Sequence, residues 1–254
     1  MIASLRGKKV LVTRESSQAK KFSNLIQNND GIPIEVPLLA IRCQEERKTI
    51  NPSKFDWIFF TSAHGVNCFF SEHKDKKKLK HCLFATVGHK TENALKNYGY
   101  EAAFIPTTYH AEAMAEEFFH CYPKANNVLL VRGNLSRRLL VDELTERKLQ
   151  FDTVVVYETT YFLEMKETLL AVLKKEKIDF LTFTSPSTIK AFIEMIGTES
   201  IMEKVLQIPC VCIGTTTEKT AKQYHFATTI VPDTFTIEHM VESMIDFIQM
   251  EGSS

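Results

Sequence analysis

The chain has 254 residues, enough for one large or two ordinary domains with a full core. Its 31 basic and 31 acidic residues cancel, and 44% hydrophobic with 24% charged residues is the make-up of a soluble globular protein. That balance excludes a polybasic nucleic-acid binder, and the absence of any apolar run of about 18 residues excludes a helical membrane span.

The N-terminal stretch MIASLRGKKVLVTRE reaches a strand within ten residues and has no signal-peptide core, so a cytoplasmic protein is expected. Residues 9–14, KVLVTR, form the apolar run of a strand, and Glu15-Ser16-Ser17 can cap a helix that reaches about Asn29 and ends at Gly31. A second strand, residues 34–36, runs into an extended segment at 37–42 whose proline disfavours a helix. Residues 55–70, FDWIFFTSAHGVNCFF, then read as a short buried strand, a hydroxyl-rich turn and a helix. The lysine run at 74–80 is read as a solvated face rather than a phosphate patch. Residues 83–106 read as strand, turn, helix and strand.

Residues 127–140, NVLLVRGNLSRRLL, echo the N-terminal strand through Val10 with Val128 and Arg14 with Arg132. Gly133 and Asn134 suit a turn. Arg137 and Arg138 fall in the first turns of a helix, as carboxylate ligands or as plain surface charges. Residues 151–157, FDTVVVY, form a strand that continues through 158–162 into a Glu/Lys-rich helix at about 164 to 176. A second hydroxyl turn follows at 178–193, then strand, turn and helix at 209–232, a closing amphipathic helix at about 237 to 250, and frayed residues 251–254. The six cysteines, at 43, 68, 82, 121, 210 and 212, make no CxxC pair and are read as reduced thiols, without disulfide or zinc.

Two stretches recur. Residues 178–193 align without a gap on 55–70 through Asp56 with Asp179, Phe60 with Phe183, Thr61-Ser62 with Thr184-Ser185 and Phe69 with Phe192. Five identities in sixteen positions exceed the roughly one expected from average residue usage. Residues 209–232 align on 83–106 through Gly88 with Gly214, Thr91-Glu92 with Thr217-Glu218, Lys96 with Lys222, Tyr98 with Tyr224 and Pro106 with Pro232. The glycine is read as permitting a tight exit from the strand, with threonine and glutamate in the first turn of the next helix. The chain is therefore two rounds of one three-unit series. It divides either near residue 125 or at the extended segments 37–42 and 157–162. The second cut makes 43–156 one domain and 1–36 with 163–254 the other. Parallel βα units gather ligands at the carboxyl ends of their strands, where helix N-termini and hydroxyls suit anions, so the function is placed at the repeated turns.

The two TS turns, the VG and IG turns with threonine at the third position after glycine, Arg132-Gly133-Asn134 and VVVYETT at 154–160 together resemble the uroporphyrinogen-III synthase family, in order over nearly the whole chain. The resemblance implies the second cut: two Rossmann-like α/β domains joined by a two-stranded linker, with a cleft between them. It implies no cofactor and no metal. The implied reaction is cyclisation of hydroxymethylbilane, which carries eight carboxylates, with loss of water and inversion of ring D. It names hydroxymethylbilane synthase as a candidate partner, and implies a monomer with neither nucleic acid nor membrane as partner.

On this resemblance Tyr157 is the acid that assists the departing hydroxyl, against the alternative of a tyrosine that anchors the linker by packing. Thr91, Thr216 and Thr217 match the family's turn threonines. Thr61, Ser62, Ser185 and Ser187 are read with them as substrate contacts through hydroxyls or backbone N–H groups, together with Gly88, Gly214, Arg132 and Asn134. His64 stands where the family often has Asn or Arg and is read as a pH-dependent contact to a substrate carboxylate or as a solvent-exposed turn histidine, and His89 is a variable turn position. Glu92 and Glu218 are read as structural. The rival reading is a two-domain protein that binds a small anion without chemistry. A nucleotide-dependent transferase is disfavoured because neither G-x-G-x-x-G nor G-x-x-x-x-G-K-[ST] occurs.

Overall fold

The computed structural model describes residues 4–44, 50–72, 79–108, 111–136, 138–197 and 200–251. Most of the 74–80 lysine run, Arg137 and residues 252–254 lie outside the described residues. In chain order the elements are β1 (Lys9–Val12), α1 (Ser16–Asn28), β2 (Ile32–Glu35), β3 (Leu39–Cys43), β4 (Trp57–Phe60), α2 (Ala63–Glu72), β5 (Leu83–Thr86) and α3 (His89–Lys96). They continue with α4 (Ala111–Cys121), β6 (Val128–Gly133), α5 (Leu139–Glu146), β7 (Phe151–Tyr161), α6 (Lys166–Lys175), β8 (Phe180–Phe183), α7 (Pro186–Ile196), α8 (Met202–Leu206), β9 (Cys210–Cys212), α9 (Thr215–Gln223), β10 (Thr229–Ile230) and α10 (Ile237–Glu251).

The chain divides into two compact units, one from residues 1–40 and 160–254, the other from 41–159. The first holds a sheet of order β10-β9-β8-β1-β2 in which every neighbouring pair is parallel. The second sheet has the order β3-β7-β6-β4-β5, parallel from β7 to β5. In the second unit Phe104 adds a single parallel bridge to Ala85, where the first unit has β10 beside β9. Matched through the sequence repeat, the two sheets have one strand order: β4 stands for β8, β5 for β9, β6 for β1 and β7 for β2.

Both faces of each sheet are covered, as near-continuous apolar strands require. In the first unit Leu11, Leu181 and Phe183 pack with α6, α7 and α8, while Val10, Val12 and Phe180 pack with α1 and α10. In the second, Ile58, Phe60, Leu129 and Val131 face α2 and α3, while Trp57, Phe59, Val128 and Leu130 face α4 and α5. Helix α1 illustrates the local logic. Ala19, Phe22, Ser23 and Ile26 recur at helical spacing on its buried face, and the Glu15 carboxylate caps it by accepting from the Ser17 N–H at 3.1 Å.

Several sequence expectations change. Strand β2 begins two residues before the expected 34, and the left-handed residue that ends α1 is Asp30 (φ 58°), not Gly31. The second strand expected in 83–106 is reduced to the Phe104 bridge. The expectation that all cysteines are reduced is also wrong. Cys43, at the end of β3, is disulfide-bonded to Cys68 in α2, with Cα atoms 5.2 Å apart. Tertiary packing brings together two residues 25 apart in sequence, a pairing that no local motif announces. Cys82, Cys210 and Cys212 are buried free thiols, and Cys121 is exposed. Among the described residues no helix is long and apolar enough to cross a membrane.

Candidate functional site

In the second unit three strand ends bring the expected residues together. β4 stops at Phe60, and Ser62 caps the following helix: its Oγ accepts from the Gly65 N–H at 3.0 Å. The Ser62 hydroxyl in turn donates to the Tyr157 phenolic oxygen at 3.1 Å. Tyr157 is brought there by a register shift. Arg132 on β6 pairs with Val155, but Gly133 pairs with Tyr157, so Val156 is an extra residue of β7. The tyrosine ring then lies directly on Gly133, where a Cβ would stand 2.4 Å from its Cε2 and Cζ. Only glycine permits that approach. His64, in the first turn of α2, holds its ring centroid 6.0 Å from that of Tyr157.

Asn134 and Arg132 frame the same place. The Asn134 side chain accepts from the Thr159 N–H at 2.9 Å and donates to the Thr159 carbonyl at 3.3 Å, clasping β7 just beyond the tyrosine. Arg132 Nη2 donates to the Ser136 carbonyl at 2.5 Å, while its Nε is buried with no hydrogen-bond partner among the described residues. A buried guanidinium N–H without a partner is costly, so this group is a candidate anion ligand. Arg138 is exposed beside Asp142.

The neighbouring turn of this unit runs from β5 to α3, and the Val87 N–H reaches the Phe60 carbonyl at 3.2 Å. Gly88 is the N-cap of α3 with φ −174°, and Thr91 is buried in its first turn. In the first unit the same geometry recurs. The Ile213 N–H reaches the Phe183 carbonyl at 3.0 Å, Gly214 caps α9 with φ −172°, and Thr217 is buried while Thr216 is exposed. These angles are extended backbone open to any residue, so the expected conformational reason for both glycines does not hold. At Gly214 the reason is contact: the exposed Phe235 ring lies over it, with Cγ 3.1 Å from where a Cβ would be. Ser185 caps α7 by accepting from the Thr188 N–H at 3.2 Å, and Ser187 is part-buried in that first turn. Thr61 is part-buried immediately before Ser62.

Glu92 and Glu218 are tied to their own helices. The Lys96 ammonium at 2.7 Å, then His89, holds the Glu92 carboxyl below its usual range, and Lys222 at 2.6 Å, with Thr229, does the same for Glu218. Burial pushes the Cys82 thiol up to about 11, which makes it a poor nucleophile at neutral pH. No group of three or more metal-ligating side chains occurs among the described residues.

Sequence reasoning passed over three features of the turns in the two units. Gly65 replaces the Thr188 of the other copy, and a Cβ there would come within 3.3 Å of Ser62 Oγ and 3.9 Å of the Tyr157 ring. That Gly-for-Thr difference between aligned copies was the available signal. Phe235 and Leu135 are large apolar side chains, 56% and 59% exposed, one over Gly214 and the other just after Asn134. No periodicity marks either of them.

Comparison with known proteins gives one consistent result. A family model described as Uroporphyrinogen-III synthase HemD matches residues 20–242. The chain is 26% identical over 252 residues to the porphyrin biosynthesis protein HemD of Ruminiclostridium josui, covering 95% of this chain but spanning about half (49%) of that relative's length. It is 30% identical over 235 residues to the uroporphyrinogen-III synthase of Chlorobaculum parvum, covering 90% of this chain and 94% of the relative. Among solved structures, the uroporphyrinogen-III synthetase of Helicobacter pylori superposes with a TM-score of 0.67 at 20% identity, covering 95% of this chain and 99% of that one, which is a likeness of fold.

Proposed function

Because the chain belongs to the uroporphyrinogen-III synthase family, we propose that it cyclises hydroxymethylbilane to uroporphyrinogen III, acting as a lyase, with Tyr157 as the group that assists departure of the hydroxyl. One observation carries the assignment of Tyr157. A relay runs from the Gly65 N–H at the start of α2, through Ser62 Oγ, to the phenolic oxygen. Because Ser62 donates to that oxygen, the phenol's own proton is left to point outward. As the C–O bond of the hydroxymethyl group breaks, the phenol gives its proton to the departing oxygen and water leaves. The negative charge that grows on Tyr157 is stabilised by the Ser62 hydroxyl and, behind it, the positive end of a helix. The azafulvenium so formed is attacked by the substituted carbon of ring D, the spiro intermediate opens and recloses with that ring inverted, and the proton lost from the closing α-carbon restores the pyrrole and returns to the tyrosinate.

In this reading the repeated turns hold carboxylates. The first-turn N–H groups of α2, α3, α7 and α9, with Thr61, Ser62, Gly88, Thr91, Ser185, Ser187, Gly214, Thr216 and Thr217 around them, are donors suited to acetate and propionate groups. Arg132 adds a charged donor. Asn134 acts indirectly, by fixing the β7 backbone beyond Tyr157, and His64 borders the phenol. We place the reaction in the cytoplasm, in a monomer, with hydroxymethylbilane synthase as the enzyme that must supply so unstable a substrate. The buried free thiols fit a reducing compartment and the Cys43–Cys68 bond stands against it.

The test is a coupled assay in which hydroxymethylbilane is generated in situ, the products are oxidised, and isomers I and III are separated by chromatography. Isomer III as the main product is the expected result. Isomer I alone, the product of spontaneous closure, overturns the assignment and leaves a binding protein for polycarboxylates.

A further inference from the structure

Arg14 holds the place in the first unit that Arg132 holds in the second. The two hold the same position in the aligned stretches KVLVTR and NVLLVR, Arg14 two residues beyond the end of β1 and Arg132 in the last residues of β6, and each strand lies beside the one that leads into a TS turn. Each guanidinium is steadied from four residues on: Arg14 Nη2 donates to Gln18 Oε1 in the first turn of α1 at 2.5 Å, and Arg132 Nη2 to the Ser136 carbonyl in the turn after β6. A guanidinium has five N–H donors, so most of that capacity is unspent in both among the described residues.

The acids that act electrostatically on Arg14 are committed elsewhere. Glu15 turns both oxygens to Ser17, one to its N–H and one to its hydroxyl, and Glu238 accepts from Lys21 at 2.6 Å. Among the described residues neither Arg14 nor Arg132 forms an ion pair. Arg14 is part-buried, and burial lowers its pKa by more than the nearby charges of Glu15 and Glu238 raise it, which records the cost of holding a cation partly out of water with no carboxylate bonded to it among the described residues. An arginine whose solvation is reduced, whose guanidinium is held by its neighbour and whose near carboxylates are bonded to other donors is suited to receive an anion from outside the chain.

We propose that Arg14 is a carboxylate seat for the substrate, the first unit's counterpart of Arg132, so that the duplicated fold offers one arginine seat in each half. This rests on the synthase reading of the previous subsection. The bond is a charge-assisted pair between the guanidinium and an acetate or propionate group, with no covalent step. It selects for a polycarboxylate and positions it, while the proton transfer remains with the second unit.

The experiment uses the full chain in the coupled isomer assay. KM and kcat are measured at low and high salt for the wild type, Arg14→Gln and Arg14→Lys, and thermal unfolding is recorded alongside. Arg14→Gln is expected to raise KM about tenfold, the size of one charge-assisted contact, with kcat changed less than about threefold. Lysine should recover part of the loss, and the salt dependence of KM should weaken when the cation is removed. A wild type that makes isomer III alongside an Arg14→Gln variant with KM within about twofold overturns the seat and leaves the synthase reading intact. Isomer I alone from the wild type removes the synthase reading and the seat with it. If Arg14→Gln does not fold, Arg14→Lys decides: a KM shift above about twofold supports the seat and a smaller one overturns it.

Discussion

The two units share strand order, turn geometry and capping serines, yet they differ in the layer beneath those turns. In the first unit fully buried Thr13 and Thr182 stitch β1 to β8, Thr13 Oγ1 donating to the Thr182 carbonyl at 2.6 Å and Thr182 Oγ1 to the Leu11 carbonyl at 2.7 Å. The repeat puts Val131 and Phe59 at those two places in the second unit, both fully buried. There the polar chemistry has moved up and outward, to the bulge that sets Tyr157 on Gly133 and to its bond with Ser62. In the first unit β2, which matches β7, ends at Glu35, and neither it nor the Val36-Pro37-Leu38 that follows carries a tyrosine. Duplication thus supplied two sets of turns of the same form, and the second carries the tyrosine for which we propose the proton-donor role.

The harshest way to break that asymmetry is Gly133→Ala. Its Cβ cannot share space with the tyrosine ring, so the ring must leave. We expect formation of isomer III to fall about 100-fold or more, and overpacking to cost about 1–3 kcal/mol in urea unfolding. Tyr157→Phe is milder because the ring stays. It should lower kcat about 100-fold with KM nearly unchanged, and cost about 1 kcal/mol for the lost Ser62 bond. A loss in kcat below about threefold would return Tyr157 to a packing role.

Within the second unit, Cys43→Ser opens the disulfide loop. A loop of this length implies a stability loss of about 3 kcal/mol, which a comparison of melts with and without reductant should reproduce in the parent protein. Thr182→Val makes the first unit resemble the second. It should cost about 1 kcal/mol through the Leu11 carbonyl and leave kcat alone. The smallest effect concerns a feature both units keep, the Glu–Lys pair of α3 and α9. Both carboxyls titrate below their unfolded value, so their contribution is present above about pH 4.3 and is lost as pH falls through the folded values. Glu218→Gln should remove about 0.3–0.5 kcal/mol at pH 7 and flatten the acid limb of the stability curve below pH 4.3.

The parallel α/β class was legible because its signals are local. KVLVTR, FDWIFF and FDTVVVY are apolar runs bounded by caps, and the two gapless repeats fixed which turns correspond. Closing helix α10 lies within a residue of its expected limits for the same reason, a regular apolar spacing on one face. What stayed hidden depends on residues distant in sequence. The reason for Gly133 is a ring 24 residues later, and that for Gly214 a phenylalanine across a loop. The Cys43–Cys68 bond needs β3 and α2 side by side, and sequence patterning gives neither distance nor direction between elements. The site was legible as a set of turns. The relay from Gly65 to Tyr157 was not, because it depends on one extra residue in β7.

On the ribosome the order in which these strands emerge matters. β1 lies between β2 and β8, and β8 begins 171 residues after β1 does. Residues 41–159 are contiguous, so the second unit can close while the first still waits for its later strands. Until residues 180–183 appear, β1 keeps one edge bare, and an apolar strand with an open edge is a template for the wrong partner. Nascent chains whose emerged part ends between about 160 and 180 should therefore have a folded middle and an adhesive start. Chaperone demand would concentrate in that interval.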